Sequence, residues 1–208
     1  MFDSGISAED FIENLKSEVD IAVPISNASY VMWLNTVEQL LYTEYIKELN
    51  SHAFEAKDYF PEPGIIPVED ITVSSEQGYA RFEDIYAVYG DGVQLIKTSF
   101  ASGEMVFSHA YYKKDNGIGI SGYDGINTVT VIYNVKPKLK ETDENGNIKS
   151  GNVMVPPEFL TLISAYIRGE AYKIANEDAI AAKWINDYNV LLETFKMWID
   201  KRKSNFGL

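Results

Sequence analysis

The sequence predicts an α+β fold: helices at the two ends of the chain form one bundle, and an antiparallel β-region is inserted between them. Three observations predict it. Apolar residues recur every three or four positions over both ends of the 208-residue chain, the spacing of a helix face. That period stops at FPEPGIIP, residues 60–67, where three prolines and a glycine oppose helix, and a helical period resumes at Pro156-Pro157. Between these points NTVTVIYNV, residues 127–135, alternates with a period of two, the signature of a half-buried strand. The expected division is therefore a bundle from 1–58 and 157–203, a β-region from 65–156, and a flexible tail over 204–208.

Each element has its own local reason. Ser7-Ala8-Glu9-Asp10 has the shape of a capped helix start, and Phe11, Ile12, Leu15 and Val19 give that helix one apolar face. It ends before Pro24, because the residue before a proline is pushed out of the helical region. Ser26 or Asn27 can cap the next helix. There Tyr30, Trp33, Leu34, Val37, Leu41, Tyr45 and Leu49 form a stripe, which predicts helix through position 49. Strands are expected over 79–89, over 93–100 after the Asp91-Gly92 turn, and over 105–114 before Asn116-Gly117. DENGN, residues 143–147, reads as a hairpin tip, and NVMV brings the chain back. Proline is tolerated in the first helical turn, where its missing N–H would have no partner, and Glu158 adds negative charge at the positive end. Phe159, Ile163, Tyr166, Ile167, Ala171, Ile174 and Ala175 then share a stripe. A joint is expected at Asn176-Glu177-Asp178. Ile180, Trp184, Tyr188, Leu191, Phe195 and Trp198 continue along a final helix of ~25 residues, about 37 Å long.

Composition narrows the function. Hydrophobic residues make up 46% of the chain, enough for a sizeable core. No apolar run approaches the ~20 residues of a membrane span. The opening MFDSGISAED lacks the marks of a signal peptide, so neither membrane partner nor leader is expected. With no cysteine there is no thiol nucleophile, disulfide framework or thiolate metal site, which fits a cytosolic origin. A net charge of −13 argues against wrapping nucleic acid by counter-ion release. The visible basic patch is Lys201, Arg202 and Lys203, where cations complement the carbonyl end of a helix. With Phe206 and Leu208 as anchors, these are the candidate partner-binding residues. Fourteen tyrosines suit surfaces that become buried on association.

Catalytic, cofactor and metal sites are not expected. GIGISG, residues 117–122, matches the dinucleotide-binding pattern in letters, but YDGINTVTV follows instead of a helix, so a hairpin or β-loop is the better reading. His52 and His109 lie in different segments, and His109 is expected on a strand face. Ser108 adjoins His109, and strand neighbours point to opposite faces, so they make no nucleophile–base pair. The 143–147 loop lacks the ligand spacing and closing glutamate of a calcium loop. Glu69-Asp70 and Glu83-Asp84 are carboxylate pairs of the kind glycosidases use, but a solvated face or turn explains them in so acidic a chain.

The order of segments carries one resemblance. Trp33-Leu34-Asn35 with Gln39-Leu40 lies in the N-terminal helical pair. The run from Val129 to Val135 leads through Lys136 to Pro137. Pro156-Pro157-Glu158-Phe159 opens a helix with Ala165-Tyr166 and Ala171-Tyr172, and Ala181, Trp184 and Tyr188 mark the last helix. This resembles the adaptor proteins of the head-to-tail junction in tailed bacteriophages, although the β-region is larger than in the simplest members. The resemblance implies a non-enzymatic virion protein made in the cytoplasm of a bacterial host. It also implies a homo-oligomeric ring, commonly of twelve subunits, with portal protein and tail components as partners. It implies no cofactor and no sequence-specific nucleic acid, and an acidic lumen would let DNA slide. An alternative is a carbohydrate- or receptor-binding module using the aromatic β-region; a hydrolase with an unrecognised carboxylate pair is a third reading.

Overall fold

A computed structural model describes residues 2–55, 65–67, 73–74, 78–98, 109–114, 117–121, 125–149 and 151–206. The fold is α+β, and the chain forms two compact units, one of residues 1–46 with 137–208 and the other of residues 47–136.

Among the described residues the first unit holds four α-helices. In α1 (Ala8–Glu18) the Ser7 hydroxyl accepts the N–H of Asp10, the cap expected from sequence. In α2 (Asn27–Leu41) the cap is Ser26, whose hydroxyl accepts from Ser29. A π-helical turn, Tyr42–Ile46, ends α2, and Lys47 follows with φ 42°, a left-handed conformation that stops the helix. A 3-10 turn (Pro157–Phe159) opens α3 (Leu160–Ile174), with proline in the first turn. Asn176, at φ 57°, makes the joint to α4 (Asp178–Phe206). α4 has 29 residues, about 43 Å of helix, and runs through residues 204–206, which were expected to be a flexible tail. Neither proline nor glycine interrupts the sequence before Gly207, so the helix has no local reason to stop earlier. Residues 207–208 lie outside the described residues.

α3 packs against both α2 and α4. The core joins Phe11, Ile12 and Leu15 to Trp33, Leu34, Val37 and Leu41, and these to Phe159, Ile163, Ile167, Phe195 and Ile199. Two ends of the expected stripes lie outside it, since Ile174 and Ile180 are exposed. Residues 137–156 also belong to this unit, where the sequence places them in the β-region. Val153, Met154 and Val155 are buried, and Asn152 bridges to Ser7 instead of returning a strand to the sheets. The side chains of Val153 and Val155 join the helical core, which outweighs the strand-like pattern of the segment. The expected hairpin tip at 143–147 is present: Thr142 bridges Ile148, and the Asp143 carboxylate accepts N–H bonds from Asn145 and Asn147, both 2.8 Å.

Among the described residues the second unit has ten strands: β1 (Glu48–Glu55), β2 (Ile65–Pro67), β3 (Val73–Ser74), β4 (Gly78–Ala80), β5 (Ile85–Gly90), β6 (Val93–Gln94), β7 (Ile96–Thr98), β8 (Ala110–Lys114), β9 (Gly117–Ser121) and β10 (Thr128–Pro137). The helix expected through Leu49 is instead β1, whose whole length pairs antiparallel with β10, Glu48 opposite Val135 and Glu55 opposite Thr128. The bundle boundary expected at 58 therefore falls at 46. One sheet runs β3-β4-β10-β5-β6, with β1 also on β10, and the other runs β2-β9-β8-β7. Along β10, Val129, Val131 and Tyr133 are buried and their neighbours half-buried, as the alternation predicts. The expected strand over 79–89 is broken by a 3-10 turn at Phe82–Asp84, because the Asp84 carboxylate turns back to accept the Arg81 N–H. The β-region is not wholly antiparallel: β7 runs parallel to β8, Ile96 opposite Ala110. Phe54, Ile66, Val88, Leu95, Ile118 and Tyr133 contribute to one core drawn from both sheets.

Candidate functional site

The basic end of the chain lies on the last turns of α4. Lys201 and Arg202 are exposed there. The Arg202 guanidinium lies 4.4 Å from the centre of the Trp198 ring and 5.2 Å from that of Phe2. A planar cation stacks well on such faces, so one of the expected partner-binding groups already has an intramolecular role. Lys203 and Phe206 lie on the same helix; their side chains, and Leu208 altogether, fall outside the described residues. The structure thus places Lys201 and Arg202 together, one turn beyond an aromatic cluster in which Phe159 lies 4.9 Å from Phe195 and 5.3 Å from Trp198.

A second feature lies on the outer side of α2. Met32, Thr36 and Leu139 line an open groove of about 730 Å³ together with Asn35, Gln39 and Lys140. There the Asn35 side chain donates to the Lys140 carbonyl and accepts the Lys140 N–H, both 2.8 Å. Gln39 donates to the carbonyl of Pro137 at 2.8 Å. One turn away, Glu38 and Lys140 form an ion pair with only 1% and 6% of each residue exposed. The second oxygen of Glu38 accepts the Met154 N–H at 2.7 Å. Burial pushes the Glu38 carboxyl up and the Lys140 ammonium down, each toward its neutral form, and their mutual attraction opposes both shifts. Asn27 extends the set, donating to the Gly146 carbonyl at 2.8 Å and accepting from Lys16. The polar residues of α2 thus hold residues 137–146 along the helix, and the groove is walled by that held segment.

The sequence singled out Asn35 and Gln39 within the adaptor-like motif, but not Glu38 or Lys140. A signal was present: Glu38 follows Leu34 by four and precedes Leu41 by three, so it stands on the apolar stripe. A carboxylate there needs a buried partner.

Those residues weighed for chemistry that lie among the described ones are not brought together. His52 is exposed on β1, with its ring 6.2 Å from that of Tyr133. His109 is not on a strand face but in a turn at φ 91°. Ser108, Glu69 and Asp70 lie outside the described residues. Glu83 and Asp84 point to different partners: Glu83 is exposed beside Lys113, and buried Asp84 pairs with Lys136 at 2.5 Å. The 117–121 part of the glycine-rich run is strand β9, with all but Ser121 buried. Gly122 lies outside the described residues. Among the described residues no group of three or more His, Asp and Glu could hold a metal ion. Burial pushes the Tyr188 hydroxyl up to about 12, which makes it a poor acid or base near neutrality. Among the described tyrosines of the β-region, Tyr111, Tyr112 and Tyr133 are buried, Tyr79 and Tyr89 half-buried, and Tyr86 exposed. Among the described residues no helix is long and apolar enough to cross a membrane.

No protein-family model matches the chain, and no curated protein matches it.

Proposed function

We propose that this chain is a non-enzymatic structural protein of a virion, an adaptor that forms a ring between the portal and the tail of a bacteriophage. The observation that carries the reading is the helical unit itself. Its N- and C-terminal parts pack as one body although a β-unit lies between them in the sequence, and the motif residues Asn35 and Gln39 grip the chain just after that insertion. The exposed cations of α4, on a chain of net charge −13, supply a distinct surface for an acidic partner. Ring closure calls for heterologous contacts, one face of a subunit against a different face of the next.

The test is size-exclusion chromatography with light scattering, on the chain alone and with the portal protein of the same phage. A closed oligomer, or one that forms on the portal, is the expected result. A monomer indifferent to the portal at high concentration overturns the reading.

A further inference from the structure

The segment from Phe2 to Ser7 is tied across the helical unit. The Phe2 N–H donates to the Tyr42 hydroxyl at 2.9 Å, and that hydroxyl donates to the Phe2 carbonyl at 3.3 Å. Ser4 donates to the Val153 carbonyl and Val153 to that of Ile6, at 3.0 and 2.9 Å. The Phe2 ring lies 5.6 Å from that of Trp198. Arg202 touches both rings, so a single guanidinium is shared between this strap and the end of α4. Phe2, Ser4, Ile6 and Ser7 are half-buried and Asp3 and Gly5 exposed, and of these residues only Phe2 brings a large ring to α4.

We propose that Arg202 is a latch through which the strap of residues 2–7 and the last turns of α4 open and close together. Its stacking on Phe2 is lost if either the strap or the helix end moves away. A group that draws Arg202 off the rings therefore loosens the strap, and release of the strap frees the helix end. Such coupling is reciprocal, because each event changes the same shared contact. Resting on the proposed function, the consequence is that a partner carboxylate captured by Arg202 also reaches the opposite end of the sequence. The coupling itself belongs to the free chain and is measured without any partner.

The experiment is hydrogen–deuterium exchange of the full chain. Arg202→Ala is expected to raise exchange several-fold in residues 2–7, most clearly at the Ser4 amide bonded to Val153. Phe2→Ala is expected to raise it in residues 196–206. Arg202→Lys keeps the charge but loses the planar stack, so it behaves like Arg202→Ala, and Asp200→Ala, an exposed neighbour, leaves the strap unchanged. Arg202 is exposed, and unchanged far-ultraviolet circular dichroism will show that its variants fold. Wild-type exchange of the strap in Arg202→Ala overturns the proposal, as does wild-type exchange of the helix end in Phe2→Ala. Strap protection fully retained in Arg202→Lys assigns the effect to charge alone and also overturns it.

Discussion

The side-chain amide of Asn35 closes two 2.8 Å hydrogen bonds on one residue, accepting the backbone N–H of Lys140 and donating to its carbonyl. The side chain thus takes the place of a neighbouring strand for Lys140. Asn35→Ala removes both partners at once from a partly buried backbone. Leaving such groups unpaired costs about 1–3 kcal/mol. Asn35→Asp should recover only part of this, because a carboxylate accepts the N–H but has no donor for the carbonyl. Denaturant midpoints of the three chains check the order: wild type, then Asn35→Asp, then Asn35→Ala.

The Glu38–Lys140 pair makes the opposite prediction for single and double changes. Glu38→Ala strands a buried ammonium and leaves the Met154 N–H without its acceptor. Breaking a buried pair on one side costs about 3–5 kcal/mol. Glu38→Leu with Lys140→Met removes both charges, and a well-packed apolar replacement of a buried pair is often neutral or stabilising. The double variant should therefore unfold at a higher denaturant concentration than Glu38→Ala. The Met154 N–H remains unpaired in it, so recovery to the full wild-type value is not expected.

The same helix shows what was legible in the sequence and what was not. Ser7, the Pro157 entry and the alternation of β10 are local signals, and each appears where the sequence places it. Local spacing failed at positions 42–55. Tyr45 and Leu49 continue the helical stripe of α2, yet a π-turn and the left-handed Lys47 end it, and Leu49 sits opposite Asn134 in a strand pair. That pairing partner is some 85 positions away, and no local pattern encodes it. The polar grip of α2 was half legible for a similar reason. Asn35 and Gln39 look like ordinary surface residues until residues 137–140 lie along the helix. From the sequence Arg202 is a cation at a helix end and a candidate partner contact, since nothing in the order of residues brings Phe2 to it.

Gly119 and Tyr112 face each other across the β8–β9 pair. A Cβ on Gly119 would lie 2.1 Å from Cζ of the Tyr112 ring, so the ring occupies the space above the glycine. Gly119→Ala must displace that ring, a form of overpacking that costs about 1–3 kcal/mol. Tyr112→Ala clears the clash while losing the ring's own burial. Alanine at 119 should then cost much less in the Tyr112→Ala background than in the wild type. A double-mutant cycle of unfolding free energies measures this coupling, and strict additivity would refute the contact.

Asp91 supplies a test of sign. It follows β5 at φ 47°, and its carboxylate accepts the N–H groups of Asn127, at 3.0 Å, and Thr128, at 2.8 Å, where β10 begins. Those backbone bonds favour the charged form and hold its pKa below the ordinary carboxylate value. Between the folded and ordinary values the unfolded chain binds more protons, so stability rises with pH through that window. The contribution is complete above the ordinary value near pH ~3.9 and is lost as pH falls through the folded one. Asn is the informative replacement, since it tolerates the left-handed conformation and keeps one oxygen acceptor but carries no charge. Thermal unfolding of wild type and Asp91→Asn should differ most at neutral pH, with the wild type more stable. The gap should narrow as pH drops below the ordinary carboxylate value. A gap that stays constant down to strongly acidic pH would mean that the charge of Asp91 contributes nothing to holding the start of β10.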